Sequence, residues 1–97
     1  MSDQRFTRVT STGQVKTIAG GSTNIGPCRI TYIQGKGHAS GQLELRNSAD
    51  NSGDLLFQAH FGTEGLDIFV PGEGIRFEDT VHATISGTGS VTLGYTG

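Results

Sequence analysis

Short segments in which apolar and polar side chains alternate constrain this chain more than any other feature. In QLELR (42–46), Leu43 and Leu45 lie on one side of an extended strand and the polar residues lie on the other. Successive side chains of a strand point to opposite faces, whereas an amphipathic helix needs apolar residues at three- and four-residue spacing. Every interior segment with a clear pattern has the period of two, so we expect about nine short strands and negligible helix.

Glycine usage and length define the fold class further. The 97 residues include sixteen glycines but only two prolines, which suits short strands closed by tight turns in one domain. Turn signals recur about every 8 to 12 residues, a spacing typical of antiparallel sandwiches. We therefore predict an all-β, antiparallel two-sheet sandwich of jelly-roll type with about eight to nine strands, and a small closed barrel is the alternative. Residues 1–24 are expected to form an N-terminal arm or edge strands, and residues 25–97 the sandwich.

The alternation also predicts which side chains are buried. LLFQAHF (55–61) is the best candidate for a central strand, and VHATISGTGSVTLGYTG (81–97) is predicted to form a hairpin within one sheet. The inward positions are expected to be Leu55, Phe57, Phe61, Leu66, Ile68, Phe77, Ile85, Val91 and Leu93.

Charge and cysteine content exclude several classes of protein. The formal charge is −2 with scattered basic residues, so we expect neither a nucleic-acid partner nor a membrane partner. The first ten residues carry charges where a signal peptide has an apolar core, so we expect a soluble product that is made inside the cell. Cys28 is the only cysteine, which rules out an internal disulfide, and we expect it to be a small buried apolar side chain.

No segment carries a recognisable catalytic or ligand-binding motif. GKGHASG (35–41) lacks the Lys-Ser/Thr pair of a phosphate loop, and His38, His60 and His82 have no ligand spacing and are expected on the surface. DNSGD (50–54) offers oxygen ligands to a cation but is better explained as a turn. We therefore predict no catalytic residues, no cofactor, no metal site and no enzymatic activity.

Three apolar residues are predicted to face away from the core. Ile33, Leu56 and Phe69 would form a patch for another subunit if they lay on one sheet, and burial under a loop or terminus is the alternative. A carbohydrate-binding face is a competing possibility because sandwiches include lectins. The chain has no Trp, so Phe69 and Tyr32 are the plausible aromatic platforms for a sugar.

The C-terminal segment VPGEGIRFEDTVHATISGTGSVTLGYTG (70–97) resembles a group of small bacteriophage virion proteins. Those proteins end in a Pro-Gly-x-Gly-Ile-x-Phe-like turn, a strand, a glycine-rich hairpin and a closing Val-x-Leu/Val-x-Tyr strand. The resemblance extends upstream through GQLELRNSADNSGDLLF (41–57). The matching positions are Pro71, Gly74, Ile75, Phe77, Val81, Gly87, Val91, Leu93 and Tyr95.

This resemblance implies a structural virion protein with no catalytic residues. The expected role is capsid decoration (cement), in which an oligomer stabilises the shell by contacting the major capsid protein. The expected oligomer is a homotrimer, because icosahedral shells have local threefold points. Its expected location is the capsid surface of the virion, after assembly in the host bacterial cytoplasm. The alternatives are a tail or portal-vertex accessory protein and a small carbohydrate-binding module.

Overall fold

The computed structural model describes residues 4–17, 21–37, 40–48, 50–87 and 90–96. It confirms the predicted fold class: this part of the chain forms nine strands in two antiparallel sheets and contains no helix. No helix suited to crossing a membrane is therefore found among these residues. The strands are β1 (Arg5–Val9), β2 (Gly13–Gln14), β3 (Cys28–Gly35), β4 (Gly41–Asn47), β5 (Asp54–Phe61), β6 (Leu66–Phe69), β7 (Ile75–Phe77), β8 (His82–Ser86) and β9 (Val91–Thr96).

The two sheets form a sandwich with separate strand orders. The five-stranded sheet has the order β1-β9-β3-β6, and β7 also pairs with β3; the four-stranded sheet has the order β2-β8-β4-β5. Between the sheets lies one core, to which both contribute. Its fully buried large side chains are Phe77, Ile30, Ile33, Leu43, Leu45, Leu93, Val15, Val81 and Val91.

The last two strands do not form the predicted hairpin. β8 pairs with β4 and β2 in the four-stranded sheet, whereas β9 pairs with β1 and β3 in the five-stranded sheet. The last two strands therefore belong to different sheets. This arrangement covers both apolar faces at once, because Ala83 of β8 and Leu93 of β9 enter the core from opposite sheets.

The prediction that β5 is a central strand is also wrong. Within the described ranges, β5 pairs only with β4 and is the end strand of its sheet. The high apolar content of β5 therefore does not mean that the strand is paired along both of its edges. Of the predicted inward set, Phe77, Val91 and Leu93 are buried, and Phe57, Leu66, Ile68 and Ile85 are partly buried against the core. The side chain of Phe61 lies outside the described part of the structure.

Leu55 departs from the predicted inward set because of an irregularity in β5. Leu45 pairs with Phe57 but the next residue, Arg46, pairs with Leu55, so that Leu56 is an extra residue in the ladder. A bulge of this kind changes the phase of the alternation. Leu55 is consequently placed opposite Arg46 and is 40% exposed.

A second irregularity reverses the predicted orientation of Ile33. Ile30 and Tyr32 pair with consecutive residues of β9, so Thr31 is the extra residue in β3. Beyond this bulge the alternation changes phase, and Ile33 faces the core with 0% exposure while Tyr32 faces outward. The prediction that Ile33 is an outward interface residue is therefore wrong.

The N-terminal residues form edge strands and take part in the core. β1 pairs along its whole length with β9, and β2 pairs with β8. Val9 and Val15 are both buried. The Thr7 hydroxyl, also buried, donates a hydrogen bond of 2.6 Å to the carbonyl oxygen of Lys16. This segment therefore bridges the edges of both sheets.

Candidate functional site

Three aromatic side chains, Phe6, Tyr32 and Phe69, form a row across the outer face of the five-stranded sheet. The strand register aligns them: Phe6 of β1 pairs with Gly94 of β9, Gly94 pairs with Tyr32 of β3, and Tyr32 pairs with Phe69 of β6. Phe6 is 58% and Phe69 75% exposed, although side chains of this size are usually covered. We call these three residues the aromatic row.

Two contacts hold the centre of the aromatic row. The rings of Phe6 and Tyr32 meet edge to face, with centroids 6.1 Å apart and planes at 78°. The Tyr32 hydroxyl donates a hydrogen bond of 2.6 Å to Asp67 Oδ1. This hydrogen bond, aided by the negative charge of Asp67, raises the pKa of the Tyr32 phenol. The hydrogen bond and the ring contact together orient the Tyr32 side chain, whereas Phe69 projects into solvent.

The aromatic row borders a shallow open groove of about 280 Å³. One end carries a pair of polar side chains, because the Thr31 hydroxyl donates a hydrogen bond of 3.0 Å to Gln4 Oε1. None of the lining side chains is charged. The lining residues are Gln4, Phe6, Thr31, Tyr32 and Phe69.

Gly94 lies beneath the aromatic row and leaves room for its rings. A Cβ atom at this position would lie 2.9 Å from Phe6 Cε2 and 2.9 Å from Tyr32 Cβ, which is closer than carbon atoms normally pack. A glycine within a strand often marks such a close approach. The alternation of β9 puts Gly94 on the outer face, opposite the buried Leu93.

The predicted outward residues do not form one patch. Phe69 and Tyr32, the predicted aromatic platforms, lie side by side in the aromatic row. Leu56 is 38% exposed but belongs to the four-stranded sheet. Ile33 is in the core. Phe6 was not predicted to belong to the site, because only the pairing of β1 with β9 brings it beside Tyr32.

The outer face of the four-stranded sheet has a different chemistry. Glu44 accepts a hydrogen bond of 2.7 Å from Gln58 Nε2 and forms an ion pair of 3.4 Å with Arg46 Nη2. Arg46 also donates a hydrogen bond to the carbonyl oxygen of Gly53. The Glu44 carboxylate is thus engaged in a network that ties β4 to β5 and to the turn between them.

The histidines predicted to lie on the surface have different environments in the structure. His60 is exposed as expected, but His82 is buried between its cross-strand neighbours Gln14 and Arg46, so its predicted surface position is wrong. His38 lies outside the described residues. Within the described ranges, no group of three or more His, Cys, Asp or Glu side chains is placed to hold a metal ion.

The turn after β4 is organised by Asp50 rather than by a ligand. Asp50 Oδ1 accepts hydrogen bonds from the main-chain nitrogen and the hydroxyl of Ser52. These bonds lower the pKa of the Asp50 carboxyl, because they favour its charged form. The arrangement is the Asx-type turn expected for this segment.

Cys28 is buried in the core at the start of β3, as predicted. Burial raises the pKa of its thiol to about 11, because the thiolate is poorly solvated there. We expect Cys28 of the native protein to react with a disulfide reagent at pH 8 about two orders of magnitude more slowly than in the urea-unfolded chain. A spectrophotometric thiol assay measures both rates, and equal rates would contradict the buried position.

Comparisons with known proteins returned no match to a family model, to a curated protein sequence or to a solved structure.

Proposed function

We propose that this protein is a structural subunit of a bacteriophage virion that forms an oligomer on the capsid surface and stabilises the shell. The proposal starts from the resemblance of residues 70–97 and 41–57 to small virion proteins. The observation that carries it further is the exposed edge of β5. β5 is eight residues long, ends its sheet and exposes Leu55 and Leu56.

An exposed strand edge of this kind can pair with a strand of another protein chain. The outer side of an end strand presents main-chain N–H and C=O groups that can pair with another strand, and monomeric proteins usually protect such edges with Lys or Pro. The sequence of β5, DLLFQAHF, contains neither residue. A β-bulge also protects an edge, but the bulge of β5 is confined to Leu56 and leaves residues 57–61 in regular register with β4. In the proposal, a neighbouring subunit or the major capsid protein covers this edge and its two leucines.

The energetics suit a repetitive assembly. Full burial of one leucine side chain contributes about 1.5 to 3 kcal/mol, so two leucines per subunit make each contact modest. Many such contacts over a symmetric shell add to a strong restraint on expansion. The proposed oligomer is a homotrimer, and light scattering of the purified protein measures its mass directly.

The experiment that tests this function is quantitative mass spectrometry of purified virions. Decoration predicts on the order of hundreds of copies per particle, whereas about 3 to 18 copies would indicate a tail or portal-vertex part instead. Absence of the protein from virions would overturn both assignments.

A substitution at the β5 edge sharpens the test. We expect Leu56→Asp to lower the copy number per virion at least tenfold, because an unpaired carboxylate is costly to bury in a contact. Phe69→Ala is the matched control: it removes an exposed apolar side chain from the other sheet and should leave the copy number unchanged. Thermal unfolding of both purified variants verifies that they remain folded. Normal incorporation of Leu56→Asp would rule out the β5 edge as the contact.

A further inference from the structure

We propose that the aromatic row is a binding site for a neutral oligosaccharide. This inference goes beyond the virion proposal and does not rest on it, because the aromatic row lies on the five-stranded sheet and the β5 edge belongs to the four-stranded sheet. It combines two features: aromatic side chains aligned across the sheet by the strand register, and polar groups beside them that can bond to hydroxyl groups.

The shape of the aromatic row suits a short chain of sugar rings. Phe6 and Phe69 lie on strands separated by three inter-strand steps, which corresponds to about 14 Å at the usual sheet spacing. Aromatic faces carry partial negative charge, and the C–H groups on the flat side of a pyranose ring carry partial positive charge. The exposed rings of Phe6 and Phe69 can therefore contact separate sugar rings of one short oligosaccharide laid across the strands.

The polar groups beside the aromatic row match the hydroxyl groups of a sugar. Gln4 and Thr31 line the groove at one end and supply both a donor and an acceptor. On β6, two residues before Phe69, Asp67 accepts the Tyr32 hydrogen bond and remains exposed, so its carboxylate has further acceptor capacity. Since the groove lining itself carries no charge and Asp67 is negative, a neutral sugar fits better than an acidic one.

The site is organised before any ligand arrives. Asp67 accepts the hydrogen bond of the Tyr32 hydroxyl, and the Tyr32 ring makes an edge-to-face contact with the ring of Phe6. Gly94 keeps the floor between these rings open. A site ordered in advance loses less conformational entropy on binding, which allows a small contact area to give measurable affinity.

The surroundings of the aromatic row disfavour a protein partner. A stable protein interface uses roughly 20 to 30 residues on each side. The groove has five lining residues, and the exposed side chains that follow along the same strands, Arg8 and Gln34, are polar. The apolar surface therefore ends within the width of the row, as expected for a small-ligand subsite.

Binding is tested with the purified full chain on an array of immobilised neutral hexose and N-acetylhexosamine oligosaccharides in α and β linkages. The strongest oligosaccharide is then titrated in solution against isotope-labelled protein by NMR. We expect saturable shifts confined to the amides around Gln4, Phe6, Tyr32, Phe69 and Gly94.

Three variants separate the aromatic row from general effects on folding. Phe69→Ala should weaken binding at least about tenfold, because it removes the most exposed ring, and Phe69→Tyr should restore binding close to the native value. Leu56→Ala, which shortens an exposed side chain on the other sheet, should bind normally. No saturable binding anywhere on the array would overturn the proposal, as would shifts located away from the aromatic row. Concentration-dependent shifts of the row without sugar would assign it to self-association instead.

Discussion

Deletion of residues 1–21 is expected to destabilise the protein by about 3 to 6 kcal/mol, because Val9 and Val15 are buried and each contributes about 1.5 to 3 kcal/mol. The deletion also removes the whole ladder between β1 and β9 and leaves β9 as an unprotected edge. This loss is a large fraction of the total free energy of unfolding, which is typically about 5 to 15 kcal/mol. We expect the truncated chain to be partly or fully unfolded at 37 °C, as measured by circular dichroism and urea unfolding.

A shorter deletion is the matched control for this experiment. Removing residues 1–3 leaves all of β1 and both buried valines in place, so its urea midpoint should equal that of the full chain. A stable, cooperatively folding product of the longer deletion would show instead that the N-terminal segment is a dispensable arm. The sequence pattern alone allowed both an arm and edge strands for residues 1–24.

Ile33→Ala is expected to lower the free energy of unfolding by about 2 to 5 kcal/mol, the range for removing a large aliphatic side chain from a packed core. Ile33 is 0% exposed and lies beyond the bulge at Thr31. Phe69→Ala removes a larger side chain but should cost no more than about 0.5 kcal/mol, since an exposed site leaves no cavity. Urea unfolding followed by circular dichroism compares the two variants directly.

The comparison discriminates between two orientations of β3. Regular alternation without a bulge would place Ile33 on the outer face, and both substitutions would then have small effects. A loss for Ile33→Ala as small as that for Phe69→Ala would contradict the strand register described for the five-stranded sheet. Folding of both variants can be confirmed from their unperturbed far-ultraviolet spectra before unfolding.

The candidate site was only partly predictable. Phe69 was recognisable because it shares a strand face with Asp67, where a polar residue is expected. Phe6 carried a similar signal, since it shares a strand face with Arg8, but only the pairing of β1 with β9 brings it beside Tyr32. Gly94 interrupts a strand pattern, but its meaning depends on the two rings that lie above it.

The sequence by itself determined the strands, because side-chain alternation is a local property of an extended backbone. It was enough to predict an all-β chain of nine strands in antiparallel sheets, and a buried Cys28. Only the tertiary structure decided the sheet to which each strand belongs, the edge position of β5 and the bulges that turn Ile33 inward and Leu55 outward. These features depend on pairing between strands far apart in the chain, and a single extra residue in such a pair reverses the faces that local alternation predicts.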